Sequence, residues 1–151
     1  MTPFFDDRVA QWVAKHIPDC SRGFGNCRAL GVEHNGQVVA GVVFHNWDPV
    51  SGVIELSSAA TDRRWMTRNV MNAVFDYVFD GLKCQLAVAR THEDNMTVRK
   101  LWKALGADEY LIPRLRGHDA AEAIETLTEE SWKRSKFYEV NHGQVERSRT
   151  N

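Results

Sequence analysis

Val53-Ile54-Glu55-Leu56-Ser57-Ser58-Ala59-Ala60 runs straight into Thr61-Asp62-Arg63-Arg64-Trp65-Met66-Thr67-Arg68, and this junction decides the fold. The first eight residues are mostly apolar or small and follow the turn-rich Trp47-Asp48-Pro49-Val50-Ser51-Gly52, so they read as a strand. From about Met66, the apolar residues Val70, Met71, Val74, Phe75, Val78 and Phe79 recur every three to four positions, the stripe of an amphipathic helix. Asp80-Gly81 closes it, with glycine where a helix C-terminus favours it. Cys84-Gln85-Leu86-Ala87-Val88-Ala89 is then a short apolar run of buried-strand type. Strand, helix and strand in this order predict a right-handed parallel crossover, hence an α/β domain.

Towards the N-terminus, Phe5, Val9, Trp12, Val13 and Ile17 form a second helical stripe that begins after Pro3 and ends before Pro18. Residues 21–26 carry two glycines and read as a loop. Residues 28–33 and 37–46 are two strands around His34-Asn35-Gly36, an Asn-Gly hairpin turn in which both residues accept positive φ. Val53–Ala60 becomes the third strand of a meander. Towards the C-terminus, Val98, Leu101, Trp102 and Leu105 mark a helix over 94–105 that stops at Gly106. Residues 110–113 and 121–127 are the arms of a final hairpin joined by a loop over 114–119. Thr128-Glu129-Glu130-Ser131 caps a last helix bearing Trp132 and Phe137, whose exposure would mark a homodimer surface. No repeat or linker interrupts residues 1–140, which read as one domain, and the polar residues 141–151 read as a flexible tail.

The 151 residues suit one core, which at this length buries roughly 68–70% of the unfolded surface. Nineteen Lys and Arg against twenty Asp and Glu leave a net charge of -1, which argues against a domain that coats phosphate backbones. Cys20, Cys27 and Cys84 are odd in number and widely spaced, as expected of reduced thiols. The N-terminus has no basic and apolar leader pattern and no stretch has the roughly 20 apolar residues of a membrane span, so a cytoplasmic protein is expected.

Asn95-Met96-Thr97-Val98-Arg99-Lys100-Leu101-Trp102-Lys103-Ala104-Leu105-Gly106-Ala107 resembles a signature of the GNAT acyltransferases: an Asn, a Leu and an aromatic six and seven residues later, then Leu-Gly. The element order resembles that family too, over most of the chain, and is closest to short phage and prophage GNAT-like proteins. The resemblance implies a central mixed sheet of about six to seven strands flanked by helices, with strands four and five parallel and splayed. It also implies acetyl-CoA or another acyl-CoA as co-substrate, an amine acceptor and no metal. The family's glycine-rich pyrophosphate turn corresponds to Arg63-Arg64-Trp65-Met66-Thr67-Arg68, where Met66 and Arg68 stand at the glycine positions. Arg63, Arg64 and Arg68 would supply charge-assisted contacts instead. With this turn, Ala59, Ala60, Asn95 and Trp102 complete the donor site that the resemblance implies.

For the chemistry, Glu55 is the candidate base by analogy with the family, and it shares a strand face with Ser57 and Ala59, opposite Ile54, Leu56 and Ser58. Ser57 and Ser58 are further cleft donors. The family's acidic Tyr is replaced by Trp102, whose indole cannot deliver the proton, leaving Tyr110 ahead of Tyr77. His45, in His45-Asn46-Trp47-Asp48, is either a base or acceptor contact or a rim histidine bonded to its own loop. His92-Glu93-Asp94 has no partner at ligand spacing to complete a metal site. Arg63, Arg64 and Arg68, with Arg114 and Arg116, also admit DNA binding or a Mom-like base modification, although near-neutrality disfavours DNA. The missing glycines and acid Tyr leave a third reading, a non-catalytic interaction module.

Overall fold

A computed structural model describes residues 1–18, 20 and 23–140; the tail over 141–151 lies outside the described residues, as do residues 21 and 22 of the expected loop. The elements are β1 (Thr2–Phe5), α1 (Val9–His16), β2 (Cys27–His34), β3 (Gln37–Asp48), β4 (Val53–Ala60), α2 (Arg68–Phe75), β5 (Leu86–His92), α3 (Met96–Leu105), β6 (Asp108–Gly117), β7 (Ala120–Thr128) and α4 (Glu129–Arg134). The strands form one mixed sheet in the order β1-β2-β3-β4-β5-β7-β6. Among the described residues only β4 and β5 pair in parallel, across the crossover made by α2.

Most elements form where the residue pattern places them. Asn35 and Gly36 take positive φ of 53° and 79° and close the β2–β3 hairpin. Thr67 and Thr128 cap α2 and α4, their hydroxyls accepting the N–H groups of Val70 and Ser131. Three readings need correction. Phe5 belongs not to the first helix but to β1, which pairs antiparallel with β2; Pro3 is tolerated there because β1 is an edge strand, where one side of the backbone has no ladder to complete. The central helix does end at Gly81, but beyond Phe75 it widens into a π-helix over Asp76–Gly81, and the positive φ, 59°, falls on Lys83 rather than on the glycine. The last hairpin has no long loop. β6 passes Pro113 through an irregularity between Ile112 and Gly117, again on an edge, and only His118 and Asp119 separate it from β7.

α1 covers one face of the sheet over a small cluster of Val9, Val13, Ala29 and Val43. It docks closely because β3 offers Gly41, where a Cβ would stand 2.5 Å from Val13 and 2.7 Å from Val9. The other face carries the main core, in which Phe44, Ile54 and Leu127 of the sheet pack with Phe75 of α2, Leu105 of α3 and Trp132 of α4. The aromatics expected on the last helix therefore do not form a surface: Trp132 is 1% exposed, and Phe137, which lies beyond the end of α4, packs against the core. Four exposed apolar side chains lie together instead on β6, at Tyr110, Leu111, Ile112 and Leu115.

One buried acid stands out in this core. Glu125 of β7 is fully buried, and neither carboxylate oxygen has a hydrogen-bond partner among the described residues. Burial, then the neighbouring Glu109, push its pKa up to about 8, while Arg99, bonded to Glu109 at 2.7 and 2.9 Å, holds Glu109 down to about 2. The folded state thus keeps a proton that the unfolded chain releases near the ordinary glutamate value. Stability is expected to be greatest below that value and to decline as pH rises to about 8, by up to about 1.4 kcal/mol per pH unit, the limit for one proton. Urea unfolding of Glu125→Gln should show a flattened slope; an unchanged slope would assign the pH dependence elsewhere.

Candidate functional site

The register of β4 and β5 shows where the sheet opens. Val53, Ile54, Glu55 and Leu56 pair with Leu86, Ala87, Val88 and Ala89, and there the pairing stops. β4 continues to Ala60 alongside β3, and β5 to His92 alongside β7. The two strands diverge, leaving backbone groups on their facing edges without a strand partner. A cleft of about 1070 Å³ passes through the opening, lined from the α1 side by Ile17 and Phe24 and from the other by Trp65, Val98 and Leu101. Small-molecule clefts run about 300–1,000 Å³, so this one has room for a long ligand.

At the α2 end, the three arginines diverge. Arg63 lines the cleft. Arg64 turns back onto Asp62, whose Oδ1 accepts its backbone N–H and Nε–H at 2.9 and 3.1 Å and whose Oδ2 accepts from Nη2 at 2.9 Å. These hydrogen bonds hold the Asp62 carboxyl down to about 2. Arg68 lies 3.5 Å from Glu139. Further donors of the turn are used internally, Trp65 N–H by the Asp62 carbonyl and Thr67 N–H by the Trp65 carbonyl. The turn is thus a self-bonded helix entry rather than an open nest of N–H groups, and an anion arriving here would meet chiefly Arg63.

Of the other expected donor-site residues, Ala59, Ala60 and Met66 line the cleft. Trp65 and Trp102 line it too but are largely buried, Trp102 standing edge-on to Phe75 at 5.8 Å. Asn95 reaches the cleft while its Oδ1 caps α3 by accepting Val98 N–H at 3.3 Å, which leaves its amide N–H groups to face a ligand. Thr67 serves as the α2 cap.

On the α1 face, polar groups converge. Glu55 and Ser57 line the cleft wall on β4. His45, opposite Glu55 on β3, sits behind them with Nε2 2.8 Å from Ser57 Oγ and 3.7 Å from Glu55 Oε2, its ring tilted against Phe24 at 5.0 Å. Asn46 Nδ2 donates to Glu55 Oε1 at 3.1 Å. Burial lowers the His45 pKa despite the opposing pull of Glu55, so the imidazole is neutral near pH 7 and can share a proton with Ser57. His45 is thus not a loop-bonded rim residue.

Tyr110 is not part of this arrangement. It lies on edge strand β6, 55% exposed and off the cleft. A proton donor must reach its acceptor within a hydrogen bond or one water, which Tyr110 does not do from there. Tyr77 packs on Phe5 and Phe44, also away from the opening. Among the described residues no tyrosine lines the cleft. His92 turns Nδ1 to the Asp94 N–H at 3.0 Å, and no three His, Cys, Asp or Glu side chains among the described residues converge as metal ligands. No helix of the described residues is long and apolar enough to cross a membrane.

Two residues of the cleft escape the sequence reading. Arg90 of β5 and Glu122 of β7 both line it and form an ion pair. They are 32 residues apart, so only the β5–β7 pairing brings them together.

No protein-family model and no curated protein sequence matches this chain. Solved structures do. A mutant form of the spermidine/spermine N-acetyltransferase SpeG from Vibrio cholerae superposes with a TM-score of 0.67 at 13% identity over 87% of this chain and 96% of its own. A GCN5-related N-acetyltransferase from Brucella melitensis gives 0.61 at 19% identity over 82% of this chain and 58% of its own. The chain spans 64%, 62% and 62% of the length of three other solved chains that it matches, less than two thirds of each. At such identities the likeness concerns architecture: a seven-stranded sheet opening between a parallel β4 and β5, with helices on both faces, is the fold of the GNAT acyltransferases.

Proposed function

We propose that this domain transfers an acyl group, most simply acetyl, from acyl-CoA to an amine. The observation that carries the reading is the through-going cleft where β4 and β5 part, with Arg63 at one end and the Glu55, Ser57 and His45 cluster on its wall. An extended thioester arm lying along β4 would complete the backbone hydrogen bonds that the splay leaves open, as an added strand does. Arg63 and the remaining N–H groups at the start of α2 would hold the diphosphate, with fewer backbone contacts than a glycine-built turn provides.

The reaction needs an unprotonated amine beside the thioester carbonyl. Glu55, fixed by Asn46, accepts a proton from the acceptor ammonium, and Ser57 with His45 orients the amine and shares the positive charge that develops on it. The amine nitrogen bonds to the carbonyl carbon and gives up its second proton to solvent, the carbon–sulfur bond breaks, and the thiolate leaves. With no tyrosine on the cleft among the described residues, that thiolate, of ordinary pKa near 8.5, takes its proton from solvent.

Calorimetric titration with acetyl-CoA tests the reading: saturable binding is expected, and none at millimolar donor would remove it. Arg63→Ala is expected to weaken that binding about tenfold or more, the loss of a charge-assisted contact. Arg64→Ala should have a smaller effect, because Arg64 is committed to Asp62. Equal effects would overturn the assignment of the diphosphate to Arg63. Acyl transfer is favoured over DNA binding because Arg64 and Arg68 each face a carboxylate and Arg63 lines the cleft, so they present no shared basic surface.

A further inference from the structure

Across the opening from Ser57, the sheet carries a second charged assembly to which acyl transfer as such assigns no task. Glu55 pairs with Val88 and Leu56 with Ala89, so one step further, where the strands have parted, Ser57 and Arg90 stand on facing walls. Paired residues of a sheet share a face, so Arg90 points to the same side as Glu55 and Ser57. Behind Arg90, Glu122 is 2% exposed and receives two guanidinium bonds, from Arg90 Nε and from Nη2, the latter at 3.2 Å. Arg116, from the end of β6, brings its Nε to 3.7 Å from the same carboxylate and donates from Nη2 to the Arg90 carbonyl at 3.3 Å. All three residues line the cleft.

One buried carboxylate therefore anchors two guanidinium groups, and the assembly carries one positive charge in excess. Both arginine side chains remain reachable, at 44% and 37% exposure. Hydrogen bonds to Glu122 hold Arg90 above the ordinary arginine pKa, and among the weaker contributions is the charge of Glu55, which puts the two walls within electrostatic reach. One face of the cleft thus presents a carboxylate on β4 and a clamped pair of guanidinium groups on β5 and β6. Guanidinium planes match a carboxylate edge to edge.

We propose that the acceptor is an amine carrying a carboxylate, of the amino-acid kind: its amine meets Glu55 and Ser57, and its carboxylate meets Arg90 and Arg116 across the opening. Such a zwitterion complements both walls at once. A polyamine satisfies only Glu55 and brings further positive charge against the arginine pair. The inference rests on the acyl-transfer reading and narrows its acceptor.

The test follows thiol release from acetyl-CoA with a panel of amino acids, each beside its own carboxamide, and with spermidine, on protein whose acetyl-CoA binding has first been measured. Amino acids are expected to be used with kcat/KM at least about tenfold above their carboxamides, the scale of one charge-assisted contact. In Arg116→Gln that ratio should collapse towards one through a rise in KM for the amino acids, and Arg116→Lys should restore part of it. Protein that binds acetyl-CoA yet uses carboxamides or spermidine as well as amino acids, or uses none of the panel, would overturn the inference and leave acyl transfer standing. Protein that binds no acetyl-CoA would remove the underlying reading, and this one with it.

Discussion

Glu55→Gln is expected to lower kcat/KM for the acceptor by about 10²- to 10³-fold while leaving acetyl-CoA affinity near its original value. Gln keeps the length and an amide oxygen for Asn46 Nδ2, so the wall of the cleft holds its shape, and what disappears is the carboxylate that accepts a proton from the ammonium. A positioned acid or base contributes about 10²- to 10⁴-fold, and Ser57 with His45 remains to orient the amine, which puts the expected loss in the lower part of that range. The pH profile separates the partners. His45 is 7% exposed with its pKa lowered, so it is neutral at pH 7, and it takes up a proton only as pH falls below the ordinary histidine value of about 6.5. Protonated, it would bind Glu55 as an ion pair and withdraw that carboxylate from the amine. Activity should therefore fall on the acid side of this range in the original protein, and His45→Gln should lose that limb while keeping part of the rate. A rate unchanged in Glu55→Gln would remove Glu55 from the chemistry.

Trp132→Ala is expected to cost about 3–5 kcal/mol of folding stability, the usual range for emptying a buried aromatic site. Trp132 joins α4 to the main core: it is 1% exposed, its ring lies 4.9 Å from Phe75, and Tyr138 meets it edge-on at 5.7 Å. Phe75 in turn carries Trp102 on its edge, so the void would open beneath the helix that forms one wall of the cleft. Domains of this size have about 5–15 kcal/mol in total, so the variant should unfold at markedly lower urea while retaining a cooperative transition. Trp132→Phe should recover most of the loss. A cost below about 1 kcal/mol for the alanine variant would mean that α4 does not seal this core.

Legibility in the sequence follows the range of the interactions involved. The bounds of β4 can be read directly because its apolar run is set off by the turn over residues 47–52 on one side and the Arg-rich turn on the other, both local signals. α3 and its stop at Gly106 are equally plain from spacing. β1 is not, because four residues containing a proline make a strand only when β2 is present to pair with them. The arms of the β6 hairpin read as too short for a similar reason: Pro113 stops a central strand but not an edge.

For the site, the position of the opening and the candidacy of Glu55, His45 and Ser57 follow from the resemblance to the acyltransferases laid over the order of the strands. Their convergence is not. It depends on β3–β4 register, which sets His45 against Glu55 and beside Ser57. Arg63, Arg64 and Arg68 are alike as residues, and the fold divides them by giving Arg64 and Arg68 carboxylate partners, the first two positions away in the chain and the second in the segment after α4.

The sequence by itself determined most of the elements and the parallel crossover, since period, caps and turns act over a few residues, and its resemblance to the acyltransferases implied where the sheet parts. The tertiary structure alone decided which charges face the cleft. Tyr110 was moved to an outer edge, Trp132 was taken into the core, and Arg90 was set on Glu122 with Arg116 beside them. Side-chain direction and charge pairing depend on strand register and burial, and those are fixed only when segments distant in the chain come into contact.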